Sequence, residues 1–174
     1  MEQFSLTDIK KKNLSDVYHY IYMNPSCSKQ DIATALSVSL PTVSQHLTTL
    51  ESEQLIEKCG RLSSSVGRRA NAYQIISDAK IAIGLEILPH TTHILSINLY
   101  GKMIAKETLP VSFEASAAYF SKLKKAVKNF CQINHHKAES ILGIGLGVQG
   151  LISPDGSELT YGKILDCTGM SIDL

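Results

Sequence analysis

Apolar residues recur every three to four positions through the first third of the chain, after which the period changes to two. Leu14, Val17, Tyr18 and Ile21 share one helical face, and Asn24-Pro25-Ser26 closes that helix. Ser28 is placed to cap a second, shorter helix. Asp31, three residues on, suits the positive end of its dipole. Ile32, Ala35 and Leu36 predict that helix's buried face, and Ala33 stands where closely crossing helices need a small residue. Ser37-Val38-Ser39 predicts a turn. Ser39 caps a third helix, Pro41 falls in its first turn where a missing N–H costs nothing, and Val43, Leu47 and Leu50 line its inner face.

Strand patterns follow. Leu55-Ile56-Glu57-Lys58 and Ala72-Tyr73-Gln74-Ile75-Ile76 flank a segment, 59–71, rich in Gly, Ser and Arg. Beyond a junction near Ser77–Ala79, Ile81–Glu86, His93–Leu99 and Lys102–Val111 predict an antiparallel meander that turns at Tyr100-Gly101. Phe120, Leu123, Val127 and Phe130 predict an amphipathic helix over Ala115–Asn134, with Lys122, Lys124, Lys125 and Lys128 on its solvated side. Ile141–Val148 reads as a buried strand, and Ser153-Pro154-Asp155-Gly156 as a turn. The fold class is α/β (α+β overall), in two domains, 1–78 and 79–174.

The 174 residues are 44% hydrophobic, enough for a core, and no apolar run approaches the length of a membrane span. The N-terminus lacks the apolar stretch of a signal peptide, so the expected compartment is the cytoplasm. Cys27, Cys59, Cys131 and Cys167 are widely spaced and form no CxxC pair, which predicts buried free thiols and no metal site. His135-His136 has no other ligand types nearby. No cofactor is expected.

Net charge is only +1, but its distribution carries information. Lys10, Lys11 and Lys12 form a basic cluster, read as preceding the first helix. Lys58, Arg61, Arg68 and Arg69 form a second, with no acid among residues 58–77. Between them the third helix offers Thr42, Ser44, Gln45, His46, Thr48 and Thr49, with its acids Glu51 and Glu53 at the far end. Two short helices across a tight turn, followed by a basic hairpin, are what a winged helix-turn-helix uses to enter a DNA major groove. The expected DNA-contacting residues are Ser39, Pro41, Thr42, Ser44, Gln45, His46, Thr48, Arg61, Arg68 and Arg69. Gln45 is the first choice for base readout, because its amide can pair bidentately with adenine. His46 is expected to meet a phosphate or water. Gly67-Arg68-Arg69 suits a minor groove, where a narrow A·T tract concentrates negative potential.

Four segments in order, PTVSQHLTTLESEQLI, SVGRRANAYQI, IGLEI with ILSINLYGKMIA, and ILGIGLGVQGLISPDG, resemble the repressor branch of the ROK family. The likeness runs over nearly the whole chain. It implies a winged helix-turn-helix prefixed to part of a sugar-kinase-like lobe of the actin-like, ribonuclease-H-like kind. Kinases of that family carry an Asp-x-Gly-Gly-Thr phosphate loop in the first hairpin. Glu86, Ile87, Leu88, Pro89 and His90 stand there here, so the glycines and one N–H donor are gone. Phosphoryl transfer depends on that positioning, and the chain is read as no enzyme. Gly143, Gly145 and Gly147 sit inside a strand pattern and make no dinucleotide fingerprint. Gly147 to Gly150 resemble one edge of the family's sugar pocket, with Gln149 in place of a proline. The family's catalytic aspartate, zinc site and second lobe have no counterpart, which predicts a fragment of a longer regulator or a short protein with poor sugar binding. The expected function is sequence-specific regulation of transcription, as a homodimeric repressor of carbohydrate genes on double-stranded DNA. The alternative is a partner-blocking module, or a non-functional fragment, that dimerises with a full-length relative; a sugar kinase is not expected.

Overall fold

The computed structural model describes residues 5–62 and 70–171, which divide into two compact units, one ending at Ala79 and the other starting at Lys80. In the first, helix α1 runs Leu6–Met23, strand β1 is Cys27–Ser28, helices α2 and α3 are Lys29–Leu36 and Leu40–Ser52, and strands β2 and β3 are Ile56–Leu62 and Ala70–Ile75. The three strands form an antiparallel sheet in the order β1-β3-β2. Its core is Val17 and Ile21 of α1, Ile32 of α2, Val43, Leu47 and Leu50 of α3, and Ile56 and Ile75 of the sheet, all buried.

Three expectations for this unit change. α1 begins at Leu6, so Lys10, Lys11 and Lys12 lie within the helix and not before it. The early start is set by a capping box: the Ser5 hydroxyl accepts from the Asp8 N–H, and the Asp8 carboxylate accepts from the Ser5 N–H. In α2 the buried alanine is Ala33, whereas Ala35 is exposed. Strand β1 was not foreseen; it pairs Cys27 with Tyr73 and Ser28 with Ala72.

In the second unit β4 (Ile81–Ile87), β5 (Thr92–Asn98) and β6 (Met103–Leu109) form the meander, and α4 (Ala117–Ile133) follows. A short 3-10 turn, Ala138–Ser140, leads into β7 (Ile141–Val148), which returns parallel to β4. The sheet order is β6-β5-β4-β7. Ile81, Ile83, Leu85 and Ile87 alternate onto one face, where they form a core with Tyr119, Leu123 and Phe130 of α4. Polar groups on that face are satisfied: the Thr92 hydroxyl lies 2.9 Å from the Tyr119 hydroxyl, and Ser96 Oγ lies 2.9 Å from His136 Nε2. The four lysines of α4 are exposed, as its periodicity required.

Residues 151–171 form a small sheet of β8 (Leu151–Ile152), β9 (Glu158–Tyr161) and β10 (Met170–Ser171), in the order β10-β9-β8, that sequence reasoning did not anticipate. Leu159, Leu165 and Cys167 join the core of the unit. β7 is not buried. It lies at the sheet edge, with Leu142 66% and Ile144 58% exposed. Cys59 is exposed as well, unlike the buried Cys27 and Cys167. Among the described residues, no helix is long and apolar enough to cross a membrane.

Candidate nucleic-acid interface

α2, the turn and α3 are set by local polar bonds. The Ser28 N–H and hydroxyl both donate to Asp31 Oδ2, at 2.8 and 2.7 Å, while the Asp31 N–H donates back to Ser28 Oγ. These bonds hold the Asp31 carboxyl below the usual carboxylate range. Ser37 ends α2 in the left-handed conformation (φ 52°), and the Val38 N–H closes onto the Ala33 carbonyl at 3.1 Å. Ser39 Oγ then accepts from the Thr42 N–H and lies 2.8 Å from the Thr42 hydroxyl. Pro41 occupies the first turn, where no intrahelical N–H partner is lost.

α3 therefore starts at a fixed point with a defined outer face. Ser39, Pro41, Gln45 and Thr48 are exposed, and Thr42, Ser44 and Thr49 are half-buried beside them. Three hydroxyls are turned back onto their own helix: Ser44 donates to the Leu40 carbonyl, Thr48 to that of Ser44 and Thr49 to that of Gln45. Their donor hydrogens are engaged, which leaves them as acceptors toward a ligand. The Gln45 amide is engaged by no hydrogen bond from another described residue, so both its donor and its acceptor are available on the exposed side.

His46 is a correction. It is 3% exposed and packs with the inner residues of α3, so it does not face outward. Its Nε2 has no hydrogen-bond partner among the described residues. Burial, reinforced by the positive charge of Lys10, pushes its pKa down and keeps the ring neutral. The spacing held the signal: position 46 is three residues after Val43 and four before Leu50, on the inner side of the helix.

Lys29 was missed. Its ammonium donates to Ser44 Oγ at 3.0 Å, which brings a cation from the first turn of α2 onto the outer face of α3. Leu40 was missed too; it is 39% exposed at the start of α3, an apolar surface beside the polar row. Neither residue type marks an interface in a one-dimensional pattern; the crossing of the two helices brings them there.

The hairpin pairs Ile56 with Ile75 and Lys58 with Tyr73. It then shifts register between Lys58 and Gly60, and continues to Arg61 opposite Asn71. Lys58 is less available than its place in the basic cluster suggested. It forms an ion pair with Glu51 Oε1 at 3.0 Å, and that carboxylate raises its pKa. Arg68 and Arg69 lie outside the described residues.

In the second unit the segment aligned with a phosphate loop is a tight hairpin. Ile87 is buried, and the Leu88 N–H donates to the Thr91 carbonyl at 2.9 Å. Gly150 is packed so closely against the Tyr161 carbonyl and Leu159 that a side chain there would collide. Among the described residues no group of three or more His, Cys, Asp or Glu could hold a metal ion.

Comparison with known proteins places the first unit. Residues 12–57 match the winged helix-turn-helix DNA-binding family. No curated protein matches the sequence. Among solved structures, the chain shares the fold of a ROK family transcriptional regulator, a homologue of the E. coli MLC protein, with a TM-score of 0.67 at 15% identity over 93% of this chain. The chain spans 41% of the length of that regulator. Streptococcus pneumoniae FabT in complex with DNA is 26% identical over 37% of this chain and 42% of its own, with a TM-score of 0.29. The architecture is thus an N-terminal winged helix-turn-helix followed by a sheet domain of the kind seen in that ROK regulator.

Proposed function

We propose that the chain is a sequence-specific DNA-binding transcription regulator. The observation that carries this reading is the match of residues 12–57 to a DNA-binding family, on a helix whose outer face is polar, uncharged and open. α3 lies in the major groove, with Gln45 on a base edge and Ser39, Thr42, Ser44 and Thr48 on neighbouring edges and phosphates. Lys29 and Arg61 contact the backbone on either side, and Arg68 and Arg69 reach the minor groove. His46 serves from inside, by filling the space behind the helix.

The chain works as a homodimer in the cytoplasm and represses carbohydrate genes. A single module of this size covers too little DNA for useful specificity, and two half-sites supply the remainder. The likeness to a ROK transcriptional regulator supports the regulatory role. Binding rather than catalysis is the mode of action, because the hairpin at Glu86–His90 turns its Leu88 N–H inward and Pro89 has none to offer a phosphate.

Selection from a random duplex library tests this directly. Enrichment of an inverted repeat, with half-sites about one helical turn apart, is the expected result. A library that stays unenriched through successive rounds would contradict it.

A further inference from the structure

The outer face of α3 is poor in hydrogen-bond donors. The hydroxyls of Ser44, Thr48, Thr49 and Ser52 all donate to carbonyls of their own helix. Of the Ser39 and Thr42 hydroxyls, 2.8 Å apart, one donates to the other. Lys29 fills an acceptor position on Ser44. No Lys or Arg stands between Leu40 and Ser52. Guanine presents two acceptors, O6 and N7, in the major groove and is read above all by Arg or Lys. α3 has neither. Its Gln45 amide offers a donor beside an acceptor, which is the pattern of adenine. The base pairs that suit this face are therefore A·T.

An A·T pair also presents the thymine C5 methyl in the same groove, and α3 has an apolar surface to meet it. Leu40 is 39% exposed and Pro41 beside it is exposed, whereas Val43, Leu47 and Leu50 are buried in the core. Apolar residues support a helix start at the positions that Val38 and Val43 occupy here, so the cap does not call for Leu40. Leu40 stands one turn before Ser44, on the flank of the polar row. It lies at the end of the helix whose residues touch base edges in a helix-turn-helix.

We propose that Leu40, with Pro41 beside it, reads thymine by packing against its C5 methyl group, close to the adenine read by Gln45. The inference rests on the DNA-binding reading above and deepens it, by assigning one residue to one base. Leu40 precedes Gln45 by five positions, about 7.5 Å of helix. The thymine therefore lies within about two base steps of that adenine.

The test is a scan of the selected duplex with the full chain. Each thymine in turn is replaced by deoxyuridine, which removes the methyl group and keeps every hydrogen-bonding group of the base. Burial of one methyl predicts a loss of about fourfold for the wild type, at one or two thymines of each half-site. The same replacements should leave the affinity of Leu40→Ala unchanged, because its side chain is too short to reach the methyl. Alanine is a good helix former, so the variant keeps α3, and the wild-type scan is decisive without it. A wild-type chain that binds the thymine and deoxyuridine duplexes equally at every position would overturn the proposal and leave the DNA-binding reading intact. So would a sensitive thymine whose effect persists in Leu40→Ala, or a selected half-site with no thymine beside the adenine. A library that yields no enriched duplex would remove the DNA-binding reading and this assignment with it.

Discussion

Replacing His46 with leucine should stabilise the first unit. The imidazole is 3% exposed, and its Nε2 has no partner among the described residues. In the unfolded chain water would bond that nitrogen. Burying it unpaired costs roughly 1–3 kcal/mol, and an apolar side chain of similar size removes that cost. Some of the gain is lost to imperfect fit, so the expected increase is about 1–2 kcal/mol. The pH dependence is a second signature. Burial and Lys10 set the folded pKa of His46 below its ordinary 6.5. Between the two values the unfolded chain binds more protons than the folded one. This contribution to stability is therefore complete above pH 6.5 and declines as pH falls from there toward the folded value. Amide exchange of Val43 and Leu47 reports the opening of this unit alone. Both amides should exchange more slowly in His46→Leu at pH 7, and the gap should widen toward pH 5. A variant that exchanges faster, or a gap that does not change with pH, would refute the reasoning.

Gln45→Ala should relax base preference at one position of each half-site, by about 1–3 kcal/mol of discrimination. Repeated selection with the variant checks it, and an unchanged consensus would remove Gln45 from base readout. Arg68→Ala with Arg69→Ala should reduce the slope of log affinity against log salt by about two per chain; an unaltered slope would place the wing tip away from phosphate.

What could be read from the sequence was what is decided locally. Ser28 with Asp31, Ser39 and Pro41 each act within one turn of helix, and Val43, Leu47 and Leu50 repeat at its period. The ends of α2 and α3 were therefore legible. α1 was legible only in its second half. Its first two turns carry the lysines and no apolar stripe, and the Ser5–Asp8 box was the only notice of its start. His46 was misjudged because its polarity outweighed its position. β1, two residues long, has no periodicity to read; it exists because Tyr73 and Ala72 of β3 offer it partners. The apolar run of β7 suggested a strand covered on both sides, the usual meaning of such a run in a parallel pair. Whether a strand is covered depends on its neighbours in the sheet, and its own residues do not record it. Lys29 reaches Ser44 across 15 positions of sequence, a contact that only the crossing of α2 and α3 creates.

The account rests on sequence-specific recognition through α3. The most direct measurement is the affinity of the full chain for its selected duplex and for a scrambled duplex of equal length, titrated with salt. The account predicts at least about a thousandfold preference for the selected duplex at physiological salt, with affinity falling steeply as salt rises. Equal, weak binding to both duplexes would contradict it.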